Sequence, residues 1–158
     1  MINEYQTQNE LNPKLWIDGE FNNKLRVQLL KISRAFYKFL GIKAQIKDVT
    51  LTGSNANYNW TKHSDIDLHL IINYKEINDN AVLVRELMQS KKSLWNNTYP
   101  LEFKGMNIEL YAQDSDEPHA STGVYSLFNN DWVHKPNSTI ISVEDDAIDK
   151  KAKPYEYE

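Results

Sequence analysis

Apolar residues recur at two spacings along the chain, and the switches between those spacings mark out its elements. From about Asn22, the residues Leu25, Leu29, Ile32, Phe36 and Leu40 follow at intervals of three and four, the period of one helix face. Lysines and arginines fill the outer positions of this stretch. Gly41 is the residue type that most readily ends a helix in the left-handed conformation. A second helix is expected from a cap at Asn78 or Asp79 to about Trp95, with Leu83, Leu87, Lys91 and Leu94 on one side. Elsewhere the period falls to two. Residues 46–52 form a short β-rich run ending at Gly53, and the stretch Asp65-Ile66-Asp67 opens the apolar run 68–72. Residues 99–103 and 106–113 flank Lys104-Gly105 as a hairpin. Residues 124–128 and 132–135 flank Asn129-Asn130-Asp131 as another. Asn12-Pro13 and Asp18-Gly19 mark turns, with Trp16 and Ile17 tucked onto the domain.

The resulting order is helix, strand, Gly-Ser turn, strand, helix, strand. It predicts an α+β fold with an α/β-like order: a mixed β-sheet with helices on one face. A chain of 158 residues supports one domain with a real core, expected over 1–143, followed by a charged helix or tail over 144–158. Hydrophobic content of 41% and charged content of 25% are those of a soluble globular protein. The absence of cysteine excludes a disulfide framework and a thiolate zinc site, and fits a cytoplasmic location. No apolar run approaches the roughly 18 residues of a membrane span, so no membrane partner is expected. The first residues lack the basic and apolar segments of a signal peptide. A net charge of −4 argues against a long polyanion as substrate.

The candidate chemistry lies where the spacing changes. On a strand, alternate residues share a face, so Asp65, Asp67 and His69 point one way while Ile66, Leu68 and Leu70 point into a core. Two carboxylates side by side repel unless something positive lies between them, and a hard divalent cation with oxygen ligands is the usual solution. Upstream, Gly53 permits close approach of the backbone to a ligand, and Ser54 offers a hydroxyl. A helical turn over 55–59 would aim its first amides, Asn55 among them, at a phosphate. Downstream, Glu109 lies between Ile108 and Leu110 on a strand, an unusual place for an acid that is neither paired nor functional. Glu102, between Leu101 and Phe103, competes with it; the longer strand and cleaner alternation favour Glu109.

Gly53-Ser54, ten intervening residues and Asp65-Ile66-Asp67, with an acid on a later strand, resemble the signature of the polymerase-β-type nucleotidyltransferase superfamily. The resemblance covers about residues 46–113. Softer likenesses, in the Asn-Tyr after the turn and in the later Gly-Val-Tyr-Ser and Trp-Val-x-Lys-Pro segments, are to small nucleotidyltransferases of bacteriophages. The resemblance implies a nucleotidyltransferase catalytic core that is magnesium-dependent, with two ions and manganese as a substitute. Asp65, Asp67 and Glu109 would be the metal ligands and catalytic acids, and Gly53, Ser54, Asn55 and His69 would face the nucleotide. It further implies an NTP substrate, ATP first, and an acceptor hydroxyl on a small molecule, a protein or RNA, in the host cytoplasm if the chain is phage-encoded. A catalytically silent nucleotide-binding regulator and a toxin–antitoxin-type partner are the alternatives. Many relatives carry aspartate where this chain has Glu109.

Overall fold

The computed structural model describes residues 7–118 and 122–137. The expected tail at 144–158 and the turn residue His119 lie outside the described residues.

The first long helix, α1 (Asn23–Leu40), begins and ends on the signals in the sequence. The Asn22 side chain accepts the Leu25 amide, and Gly41 closes the helix in the left-handed conformation, with φ 67°. Leu25, Leu29, Phe36 and Leu40 are buried, as their spacing requires. Before it, the two-residue strands β1 (Trp16–Ile17) and β2 (Glu20–Phe21) pair across Asp18-Gly19. Trp16 packs edge-on against Phe21 and Tyr125, whereas Ile17 points outward and is 57% exposed. The expectation that both residues tuck inward fails for Ile17, because adjacent strand residues take opposite faces.

The central sheet has the strand order β5-β6-β4-β3-β7-β8. Its middle is β3 (Asp48–Thr52), antiparallel to β4 (Ile66–Ile72), which is in turn parallel to β6 (Met106–Asp114). Parallel neighbours need a crossover, and the second helix, α2 (Ala81–Thr98), capped by Asn80, provides it. The short β5 (Glu102–Phe103) forms the Lys104-Gly105 hairpin with β6, and β7 (Val124–Ser126) joins β8 (Asp131–His134) on the other side of β3. The sheet is mixed and the class is α+β, as the element order predicts. Ile66, Leu68 and Leu70 of β4 and Ile108, Leu110 and Ala112 of β6 form one apolar cluster with Leu29 and Phe36 of α1 and Val84, Met88 and Trp95 of α2.

The face that α2 buries differs from the expected one. Leu83, Leu87 and Leu94 are 53%, 40% and 55% exposed, while Val84, Met88 and Trp95 are buried. Both sets have helical spacing, and aromatic packing separates them: Trp95 meets Phe36, Phe39 and Tyr99 at ring-centroid distances of 5.5, 5.3 and 4.5 Å. An indole buries more apolar area than a leucine, so the helix turns to the face that carries it.

Strand β6 outruns its outer partner, since β5 pairs only with Met106 and Asn107. Side chains complete the edge. Asn96 of α2 donates to the Leu110 carbonyl and accepts from the Leu110 amide, both at 3.1 Å, in the manner of a neighbouring strand. The Tyr74 hydroxyl donates to the Ala112 carbonyl. An edge whose backbone groups are satisfied in this way offers little to another chain.

Candidate functional site

Strand register assembles the site. Thr52 of β3 lies opposite Asp67 of β4, and Asp67 lies beside Glu109 of β6, so the three form a row across the sheet on the face away from the helices. Asp65, two residues before Asp67, takes the same side. Asp65, Asp67 and Glu109 each offer a carboxylate oxygen, and these oxygens all lie within 4.8 Å of one another. All three residues are half-buried. Glu102, the competing acid, is exposed on β5 and outside this cluster.

The crowding shows in the acidity of Asp67. Its pKa is pushed up to about 6, first by burial and then by the charges of Asp65 and Glu109, against which Lys92 works in the other direction. No hydrogen bond enters that balance. The arrangement is an oxygen-rich, negatively charged cluster, and among the described residues the opposing charge acting on Asp67 is that of Lys92. Hard cations with oxygen ligands match such a donor set.

Gly53 closes the site on the β3 side. It sits at φ 77° and ψ −166°, a conformation open to glycine and strained for other residues. A Cβ at this position would also collide with the Asp67 carboxylate. The turn Ser54–Ala56 that follows is a single 3-10 turn, shorter than the expected one at 55–59. Its first bonded amide is that of Ala56, which donates to the Gly53 carbonyl, so the amides of Ser54 and Asn55 precede the bonded part of the turn.

The Ser54 hydroxyl donates to the Ser64 hydroxyl at 2.7 Å, tying the turn to the loop before Asp65. The Asn55 side chain turns inward and is fully buried. It donates to the Asp65 carbonyl at 2.9 Å and accepts from the Asn12 side chain at 2.9 Å. Contact with a nucleotide through this side chain is therefore closed off, and its work is to hold the Asp65 backbone in place. His69 shares the face of Asp67, with Nδ1 against Gln113 Oε1 at 2.7 Å and Nε2 against Thr52 Oγ1 at 3.3 Å. The histidine links β3, β4 and β6 just behind the acids.

Some residues support the site through contacts that nothing in the sequence specified. Asn57 donates to the Gly53 carbonyl at 2.7 Å and accepts the Gly123 amide at 2.9 Å, fastening the glycine turn to the start of β7. Gly123 must be glycine, because a Cβ there would strike the Ala56 carbonyl. Trp16 donates its indole N–H to the Asn55 carbonyl at 2.9 Å. Apart from the local Asn57–Gly53 bond, four residues in span, these contacts and the Asn12–Asn55 bond join residues some 40 to 66 positions apart, beyond the reach of any local spacing rule. Asn12 was legible as a turn residue and Asn57 as part of the Asn-Tyr segment after the turn, with neither partner indicated. On the β6 side, Lys92 of α2 stands over the Tyr111 ring, 5.2 Å from its centroid, and that ring meets His69 edge-on at 5.0 Å.

Comparison with known proteins returns no match to the chain, whether against family models, curated proteins or solved structures, so the reading of the site rests on its own geometry.

Proposed function

We propose that the protein is a metal-dependent nucleotidyltransferase that moves a nucleoside monophosphate from an NTP, ATP first, to a hydroxyl acceptor and releases pyrophosphate. The observation that carries this reading is the convergence of Asp65, Asp67 and Glu109 within 4.8 Å, from a loop end and two adjacent strands. The Gly53 turn, pressed against Asp67, supports it further.

The donor set fits magnesium, with manganese as a substitute: three carboxylates, all oxygen, on a rigid sheet and short of positive charge. When bound, the metal supplies charge neutralisation at the transferred phosphate and lowers the pKa of the attacking hydroxyl. The chain's own residues do the rest. Asp65, Asp67 and Glu109 would be the residues to hold the magnesium ions. The backbone at Gly53 and the amides of Ser54 and Asn55 orient the phosphates, and orientation is a large share of catalysis in phosphoryl-type transfer. In the transfer, the acceptor oxygen bonds to the α-phosphorus as the bond to the β-phosphate oxygen breaks. Pyrophosphate leaves with that electron pair, and the hydroxyl proton passes to solvent.

The test is incubation of the full chain with magnesium and each α-labelled NTP, with pyrophosphate release and label transfer to the protein or to added acceptors as readouts. Magnesium-dependent pyrophosphate release that Asp67→Asn abolishes is the expected result. Absence of magnesium-dependent NTP binding overturns the reading. Binding without pyrophosphate from any acceptor replaces it with a nucleotide-binding regulator.

A further inference from the structure

The proposed transfer needs two sides, and the strand order separates them. Strands β3, β4 and β6 are consecutive in the sheet, so the Gly53–Ser54 turn flanks Asp67 from the β3 side and Glu109 flanks it from the β6 side. In-line displacement sets the attacking oxygen opposite the leaving pyrophosphate. With the phosphates on the glycine turn, the acceptor approaches over β6.

Two side chains stand on that approach. Tyr111 follows Glu109 by two residues on the same strand face and rests edge-on against His69. Lys92 lies half-buried with Nζ 5.2 Å from the centre of the Tyr111 ring. Its position is built in. Asn96, four residues later on the same helix face, pins α2 to the Leu110 backbone with two hydrogen bonds of 3.1 Å. An ammonium over an aromatic face has N–H donors left for an oxygen ligand, and the charge of Lys92 also acts on Asp67 beside it. Its surroundings are half-desolvated, where a charge-assisted hydrogen bond is stronger than in water.

We propose that Lys92 and Tyr111 form the acceptor subsite and select an acceptor whose hydroxyl lies near a phosphate group, as in a small phosphorylated alcohol or sugar. This assignment of acceptor class rests on the nucleotidyltransferase reading, while the anion subsite itself stands on the geometry of Lys92. The hydroxyl oxygen bonds to the α-phosphorus, pyrophosphate departs on the β3 side, and the acceptor's own phosphate stays paired with Lys92. A net charge of −4 sets the subsite against a long polyanion, so RNA is an outcome of the test.

The test is calorimetric titration of the full chain with inorganic phosphate, glycerol 3-phosphate and glycerol, and separately with ATP and magnesium, for wild type, Lys92→Ala and Lys92→Arg. Glycerol 3-phosphate is expected to bind wild type in preference to glycerol, at least about tenfold more weakly to Lys92→Ala, and at intermediate strength to Lys92→Arg. Inorganic phosphate is expected to follow the same order, and ATP–magnesium binding to survive Lys92→Ala. Equal binding of glycerol 3-phosphate to wild type and Lys92→Ala overturns the proposal. So does loss of ATP binding in Lys92→Ala, which moves Lys92 to the nucleotide's own phosphates. Salt-steep binding of an oligoribonucleotide, tighter than that of glycerol 3-phosphate, overturns the acceptor class. If glycerol 3-phosphate binds through Lys92 but ATP does not bind, the anion subsite stands and the transfer reading falls. If ATP–magnesium binds and no phosphate compound does, the subsite falls and the transfer reading stands.

Discussion

Strand β4 presents two faces with opposite chemistry. On one, Ile66, Leu68 and Leu70 are fully buried against α1 and α2. On the other, Asp67 lies between Asp65 and Glu109, and His69 is bound to Thr52 and Gln113. The apolar face gains stability with every methylene removed from water. The acidic face loses some, because a half-buried carboxylate beside two like charges is held in an unfavourable ionisation state. One strand thus carries both the stabilising and the destabilising part of the molecule, and the stable face fixes the geometry of the costly one. A residue from each face should therefore fail in a different way when changed.

The sharpest test of that contrast is Asp67→Asn. Pyrophosphate release is expected to fall by about three orders of magnitude or more, about 4 kcal/mol of barrier, while thermal stability at neutral pH holds or rises. A variant that lost activity only by unfolding would erase the distinction between the faces. On the apolar side, Leu68→Ala removes a fully buried side chain and is expected to lower unfolding free energy by about 3 kcal/mol in denaturant titration. Metal-dependent binding should persist in whatever fraction stays folded.

A third test uses pH. The folded pKa of Asp67, about 6, lies above its ordinary value of 3.8, so the folded state binds the proton more tightly than the unfolded chain does. The contribution of this group is present in full below about pH 3.8 and is lost as pH rises through about 6. Compared with Asp67→Asn, the wild type should lose up to about 2 kcal/mol of stability across that window in metal-free buffer, solvent access trimming the full linkage value. Melting temperatures of both proteins at pH 4 and pH 7 read the difference; equal losses would remove the like-charge account of the site.

The smallest effect sharpens the boundary between the faces. Thr50, paired with His69 on the acid side of β3, is buried, and its hydroxyl has no hydrogen-bond partner among the described residues. Thr50→Val keeps the shape and removes the unsatisfied group, and should stabilise the protein by about 1 kcal/mol. A destabilised variant would show that the hydroxyl is used.

Much of this was legible in the sequence, for a reason that differs by level. Helix α1 was largely legible, since its stripe, its start near Asn22 and its Gly41 terminator are local signals, although Ile32 is only half-buried and Ser33 takes the buried position instead. The division of β4 into a core face and an acid face followed from alternation alone. The choice of Glu109 over Glu102 was favoured by strand length, but the register of parallel β4 and β6 is what sets Glu109 beside Asp67. Helix α2 was located to within a few residues, its cap being Asn80 and not Asn78 or Asp79 and its end Thr98, and it was oriented wrongly, because two stripes of equal periodicity competed and only packing against Phe36 and Phe39 ranked them.

The sequence by itself determined the helix α1, the two faces of β4 and the acids Asp65 and Asp67, because each depends on residues a few positions apart. Tertiary structure alone decided which acid completes the cluster, that Asn55 spends its side chain on the Asp65 carbonyl, that Asn57 ties the glycine turn to Gly123, and that Lys92 reaches Tyr111. Each of those is a contact between elements, set by strand order and register, and no period within a single segment encodes it.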